Sequence, residues 1–273
     1  MFKYTSFLLV VLTISCKPQN EVEKQDSCLI SKIFDIQTNK LTNDFKYDSQ
    51  NRLIEYTSFN TNCSFIYNLD YSIPNQIKVS YKGDCLKEIA AFYPGTIFLD
   101  KEGNASKIIT NEKNSNISLK YENGKLKSHT YIVAPNSSIN AIYIHIFEYL
   151  GNNISKVKLS YEDKVSTLKY EYIPYETKKF DDKPNYYPKE FKYLVMYSLS
   201  NIRGGSLDAF NENICLDQTV YPSQFGIPNR SVTFYEYNAQ GYPLKSGSSF
   251  FFNGVLQFGD SKTFRHRYEF ECE

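Results

Sequence analysis

Over most of its length the chain alternates apolar and polar residues with a period of two, and the alternation is interrupted by short turns rich in Asn, Asp and Gly. Ile117, Leu119, Tyr121 and Leu126 fall on one face, while Ser118, Lys120, Glu122, Lys125, Lys127 and His129 fall on the other. That is the pattern of an antiparallel strand pair with one face in water. Asn123-Gly124 between the two runs suits a two-residue hairpin turn. With Glu122 facing Lys125, the pairing predicted from there sets Tyr121 against Leu126, Leu119 against Ser128 and Ile117 against Thr130, and puts Lys120 opposite Lys127. Longer turns recur in Phe45 to Leu53, Tyr235 to Leu244 and, in weaker form, Ile97 to Gly103 and Phe147 to Asn153. In each, Asn51, Gly241, Gly103 or Asn153 stands where a type I turn is followed by a left-handed residue, so a positive φ is predicted at all four.

The alternation breaks between Pro174 and Pro228. Phe191, Leu194, Val195, Leu199 and Ile202 lie at helical spacing behind Pro188, and Arg203-Gly204-Gly205 ends the run, so one helix is predicted over 188–202. Its apolar stripe is expected to cover one face of the sheet. The fold class expected is therefore mainly β: an antiparallel sheet of repeated hairpins with one helical insertion around 188–202, inside a break that spans 174–228.

The turn units, read as aromatic, polar, Tyr, Asp, two variable residues, Gly or Asn, basic and Leu, are fullest in Phe45-Lys46-Tyr47-Asp48-Ser49-Gln50-Asn51-Arg52-Leu53. This is similar to the YD-type repeat. A signal cysteine followed by degenerate copies resembles the uncharacterised YD-repeat lipoproteins of Bacteroidota, a likeness covering about two thirds of the chain. The resemblance implies a repeat-built β body and carries no established activity. In the other copies the Asp is replaced, by Glu122 or Asn238, which leaves it the role of a turn former.

The amino terminus adds an address. Lys3 and the apolar run Phe7 to Leu12 lead to Cys16, a stretch too short to span a bilayer. It resembles the signal of a bacterial lipoprotein, cut before a cysteine that is then acylated. Residues 1–15 are read as signal, 16–29 as lipidated cysteine and polar tether, and 30–273 as the folded domain. The localisation implied is the cell envelope, lipid-anchored at the outer membrane, with the leaflet open. Lys and Arg number 31 against 30 Asp and Glu, so no basic excess draws nucleic acid. Of the cysteines beyond Cys16, Cys63 with Cys85 and Cys215 with Cys272 are the expected disulfides, against a reading of all as buried thiols.

No motif names a reaction, and no cofactor is implied. Asp181, Asp182 and Asn185 offer neighbouring oxygen ligands for calcium, against the plainer reading of a turn leading into the helix. Arg203-Gly204-Gly205 could cradle an anion or simply end the helix. Arg265 and Arg267 share a strand face opposite His266, either a docking spot or a charged edge. The Tyr-rich strands are the main binding candidate, with Tyr143, Tyr149 and Tyr161 foremost, because Ala141 to Phe147 is apolar on both faces. Tyrosine rows combine large area with few rotors. The function expected is a binding or scaffolding module contacting a protein or a glycan. The alternatives are an envelope hydrolase whose site is assembled near the 174–228 insertion from Asp181, Asp182 or His266, and a structural spacer.

Overall fold

The computed structural model describes residues 28–60, 63–83, 94–110, 116–132, 141–195, 210–221, 226–259 and 263–272. The signal, Cys16, the tether and Cys85 lie outside them. The strands are β1 (Cys28–Asp35), β2 (Leu41–Tyr47), β3 (Leu53–Asn60), β4 (Cys63–Asp70), β5 (Gln76–Gly83), β6 (Pro94–Leu99), β7 (Ala105–Thr110), β8 (Asn116–Glu122), β9 (Lys125–Ile132), β10 (Ala141–Leu150), β11 (Asn153–Asp163) and β12 (Lys169–Pro184). A short helix α1 (Phe191–Val195) follows, then β13 (Asn213–Val220), β14 (Asn229–Tyr237), β15 (Pro243–Phe252), β16 (Val255–Phe258) and β17 (His266–Cys272).

From β1 to β16 each strand pairs antiparallel with the next, and β17 pairs with both β15 and β1. The sheet therefore closes on itself as a barrel of 16 strands, with β16 as one outer strand attached to β15. This corrects the expected open sheet of hairpins under a helix. Hairpin repeats look the same in sequence whether a sheet is open or closed, because closure depends on one pairing between the two ends of the chain. Here that pairing is sealed by a disulfide between Cys28 and Cys272. The expected Cys215–Cys272 bond is thereby excluded, and Cys215 is buried on β13. Cys63 is disulfide-bonded.

The turns explain the hairpins. Oδ1 of Asp48 accepts the backbone N–H groups of Gln50 and Arg52, Oδ1 of Asp100 those of Glu102 and Asn104, and Oδ1 of Asn238 those of Gln240 and Tyr242. Three copies of one turn thus use one carboxylate or amide oxygen to hold two orphan donors. Asn51, Gly103 and Gly241 have the predicted positive φ of 59°, 75° and 87°. Asn153 does not: it begins β11, and Gly151 takes the left-handed position, at 61°. Asn123-Gly124 forms the two-residue turn, with Glu122 opposite Lys125 and Tyr121 opposite Leu126. A bulge between Lys120 and Tyr121 then shifts the register, so that Leu119 faces His129 and Ile117 faces Tyr131. The shift turns His129 inward and sets Lys120 against Ser128 instead of Lys127.

Alternation sorts the wall into two surfaces. Ile97, Ile108, Ile117, Val157 and Tyr175 face inward and are fully buried. Outward stand the cross-strand ion pairs Lys46–Glu55, Lys156–Glu176, Lys158–Glu148, Lys169–Glu162, Arg230–Asp217 and Lys245–Glu236. Ile142, Ile144 and Ile146 of β10 form a narrow apolar stripe on this outer wall. Their neighbours on β10, Tyr143, His145 and Phe147, point into the barrel, which accounts for a strand apolar on both faces.

The two ends differ. The turns at 48–52, 71–75, 100–104, 123–124, 151–152 and 238–242 gather at one end, together with Cys28 and Cys272. At this end residues 185–195, which follow β12, enter the barrel as a plug. The ring of Phe191 lies 5.8 Å from that of Phe45 and 5.0 Å from that of Tyr56, and Tyr193 and Leu194 are buried. Asn211 ties the returning segment down, its Oδ1 accepting the N–H of Ile154 at 2.7 Å. The predicted helix is thus seen over 191–195 only and packs inside the barrel, not across a sheet face. Residues 196–202 and Arg203-Gly204-Gly205 lie outside the described residues. The break is also narrower than expected, since β12 continues to Pro184 and β13 resumes at Asn213.

Candidate functional site

The inner wall at the end away from the plug carries a continuous row of tyrosines. Pairing places Tyr131 of β9 beside Tyr143 of β10, Tyr143 beside Tyr161 of β11, and Tyr161 beside Tyr170 of β12. Successive ring centroids are 6.0, 4.8 and 4.7 Å apart, and Tyr172 extends the row another 6.0 Å. Tyr131 is buried, while Tyr143, Tyr161, Tyr170 and Tyr172 are half-buried and present their rings to the lumen. Tyr143 and Tyr161 are hydrogen-bonded through their hydroxyls, and burial, first, together with the neighbouring Tyr161, pushes the Tyr143 hydroxyl up to about 12. At neutral pH the row is an uncharged, rigid aromatic face with hydroxyl groups along it.

Beneath the row lies a pair of buried histidines. His129 and His145 are fully buried, with their Nδ1 atoms 3.1 Å apart. One ring must donate and the other accept, so at least one is neutral. Burial, and then the other ring, hold His129 well below the usual imidazole range.

Around the rest of the lumen the inward positions of β12 to β15 are neutral and polar: Thr177, Gln218, Ser231, Thr233 and Ser248. Thr177 donates to the Tyr175 hydroxyl, and the hydroxyls of Thr233 and Ser248 lie 3.1 Å apart. Oε1 of Gln218 is buried and accepts no hydrogen bond among the described residues. By the strand registers, the inward wall positions of the described residues include no Lys or Arg. This sector therefore offers hydroxyl and amide groups and no cation, and the carboxylate of Asp163 stands inward at the end of the tyrosine row, held by the Val165 N–H and the Ser166 hydroxyl.

The other sequence candidates are dispersed. Tyr149 lies at the plugged end, donating from its hydroxyl to the carbonyl of Leu126 at 2.9 Å, so it is apart from Tyr143 and Tyr161. Asp181 accepts from the Tyr237 hydroxyl and the Lys183 N–H, Asp182 pairs with Lys183, and Asn185 binds the backbone of Tyr187, Asn211 and Glu212. These three side chains serve the turn into the plug and do not point at a common centre. His266 is at the opposite end of the wall from Asp181 and Asp182, facing Asp35 across β1 and β17. Arg267 points outward over the ring of Phe34, as its strand position predicts. The hydrolase constellation of Asp181, Asp182 and His266 is thus not assembled. Sequence reading named Tyr143 and Tyr161 of this row and did not name Gln218 or the hydroxyl sector, because Thr and Ser on alternating positions look like an ordinary solvated face until the barrel closes.

No family model matches the chain, and no curated protein is similar to it in sequence. Solved structures that match the chain include two porin-like proteins. A porin-like protein from Bacteroides uniformis ATCC 8492 superposes with a TM-score of 0.52 at 13% identity, covering 89% of this chain and 98% of that one. A porin-like protein from Bacteroides vulgatus ATCC 8482 gives a TM-score of 0.48 at 12% identity, covering 88% and 98%. The first of these supports the barrel fold of this chain. The architecture is thus similar to that of a porin-like barrel, and the comparisons do not confirm a YD-repeat lipoprotein.

Polarity separates this wall from a membrane-spanning one. A barrel crossing a bilayer turns an apolar band about 25 Å tall outward and a polar surface inward, and each Lys or Arg on the lipid face near the midplane costs about 2–4 kcal/mol. Here Lys46, Lys156, Lys158 and Arg230 stand on the outer face within the strands, and isoleucines fill the inside.

Proposed function

We propose that this chain is a water-facing binding cup of the cell envelope, closed at one end by its plug, that takes a neutral glycan on the tyrosine row of its lumen. The observation that carries this reading is the row of Tyr143, Tyr161, Tyr170 and Tyr172 across three strands, facing an uncharged hydroxyl and amide sector. Aromatic faces pack against the C–H faces of sugars, and Gln218 and its neighbours supply hydrogen bonds to hydroxyls. The outer ion pairs support a wall that stands in water.

A lipid on Cys16 would fit this arrangement. The tether of residues 17–27 can span at most ~40 Å when extended, and β1 starts at the plugged end. An anchor at Cys16 would therefore turn the plug toward the membrane and the tyrosine-lined mouth away from it.

The test is a titration of the full chain with a panel of neutral oligosaccharides, followed by tyrosine fluorescence. Tyr161→Ser is expected to weaken binding at least tenfold while lowering the melting temperature by no more than a few degrees. Binding of a protein but of no glycan would assign the row to the other partner class. Equal binding by wild type and Tyr161→Ser would remove the row from the site. Fatty-acid labelling of wild type and its loss in Cys16→Ala test the anchor separately.

A further inference from the structure

The plugged end holds a cavity of about 430 Å³ on the far side of the plug from the tyrosine row, large enough for a small ligand. Its walls come from the 123–124 turn, the 151–152 turn and the plug, elements that meet only because the plug is inside the barrel. Lys125, Lys189 and Lys192 line it together, opposed by the single carboxylate of Glu212. Amide side chains of Asn104 and Asn152 add further donors.

Lys125 is held at the rim of this cavity. Nζ of Lys125 donates to the carbonyl of Gly151 at 2.6 Å and lies 5.5 Å from the ring centre of Tyr149. Lys189 and Lys192 form no ion pair among the described residues. Burial, and next the Lys189 ammonium, push the Lys192 ammonium below its ordinary value. Such a site lacks the anion that would offset its charge. Three ammoniums against one carboxylate leave two positive charges, which match the charge of about −1.5 to −2 on a phosphate monoester at pH 7. Lysine binds phosphate as a point charge and does not need the bidentate geometry of arginine.

We propose that this cavity binds a phosphate monoester, the phosphate seated between Lys125, Lys189 and Lys192. The group could belong to a free phosphorylated metabolite or to the headgroup of an anionic lipid, and the chemistry recognised is the same.

The test uses the full chain. Calorimetric titration with inorganic phosphate and glycerol 3-phosphate reads the soluble source. Flotation of the Cys16→Ala chain with phosphatidylcholine vesicles, with and without phosphatidic acid, reads the lipid source. Saturable binding in solution that vesicles leave unchanged assigns a free ligand. Flotation that requires phosphatidic acid and is competed by glycerol 3-phosphate assigns a headgroup. In either case Lys189→Gln and Lys192→Gln should each weaken binding at least tenfold, Glu212→Gln should tighten it, and Lys78→Gln on the outer wall should change nothing. No binding of any probe, or equal binding by wild type, Lys189→Gln, Lys192→Gln and Glu212→Gln, would overturn the proposal.

Discussion

Cys28 and Cys272, the first residue of β1 and the last of β17, are bonded across the seam at which the barrel closes. They are separated by 244 positions in sequence, so the crosslink makes the unfolded chain nearly cyclic. Loops of this length lie at the upper end of the entropic effect. Cys28→Ser is expected to lower unfolding stability by about 2–5 kcal/mol while leaving the β content of the native state intact. Denaturant titration of the two forms checks this. Equal midpoints would mean that the β1–β17 ladder alone fixes the seam.

That seam also marks the limit of what the sequence discloses. The strands were legible because each hairpin carries its own evidence, as Ile117, Leu119, Tyr121 and Leu126 do. The turn chemistry of Asp48, Asp100 and Asn238 was legible for the same reason. What was not legible is set by distant pairing. Nothing near Cys28 says that it meets Cys272, and nothing near Phe191 says that it meets Phe45 and Tyr56 inside a closed wall. The bulge between Lys120 and Tyr121 is an intermediate case, since one extra residue sends His129 from the outer face to the core. The candidate site divides the same way. Tyr143 and Tyr161 could be read from the strand pattern, whereas Gln218 joins them only through closure.

Within the tyrosine row, exposure separates support from recognition. Tyr131 is only 3% exposed, whereas Tyr161 is half-buried at the open side of the row. Tyr131→Ala should cost about 3–5 kcal/mol, as for a large buried aromatic, and Tyr161→Ser no more than about 1 kcal/mol. Thermal melts of both variants decide it. A large loss for Tyr161→Ser would assign that ring to the core and withdraw it from binding.

On the outer wall Gly247 leaves no room for a side chain. A Cβ on Gly247 would lie 2.3 Å from the ring of Phe234 and 2.3 Å from the carbonyl oxygen of Thr263. The segment leading into β17 thus crosses the wall directly over Gly247, and Phe264 rests 5.4 Å from Phe234. Gly247→Ala should cost about 1–3 kcal/mol through overpacking. Hydrogen exchange should show its effect first at Arg265, whose N–H donates to the carbonyl of Ser246 at 2.7 Å. Unchanged protection at Arg265 would contradict the crossing.

The buried histidines give the barrel a predictable response to acid. Burial, and then His145, hold His129 well below the usual imidazole range, and burial lowers His266 against the opposing pull of Asp35. In the unfolded chain these rings take up protons near pH 6.5. Above that pH the rings are neutral in both states and their contribution to stability is complete. As the pH falls below it, the unfolded chain binds more protons than the native one, so stability is lost progressively. The carboxylates of Asp35, Asp48 and Asp70, held low by hydrogen bonds, act only at more acidic pH. Glu190, raised by burial, acts in the opposite sense and equally in wild type and variant. Denaturation midpoints should therefore decline between about pH 6.5 and 5 in wild type. The decline should be shallower in the double variant His129→Gln with His145→Gln, because the unfolded variant has lost those two sites of proton uptake. Parallel curves for the two proteins would show that the buried pair is not the source of the acid sensitivity.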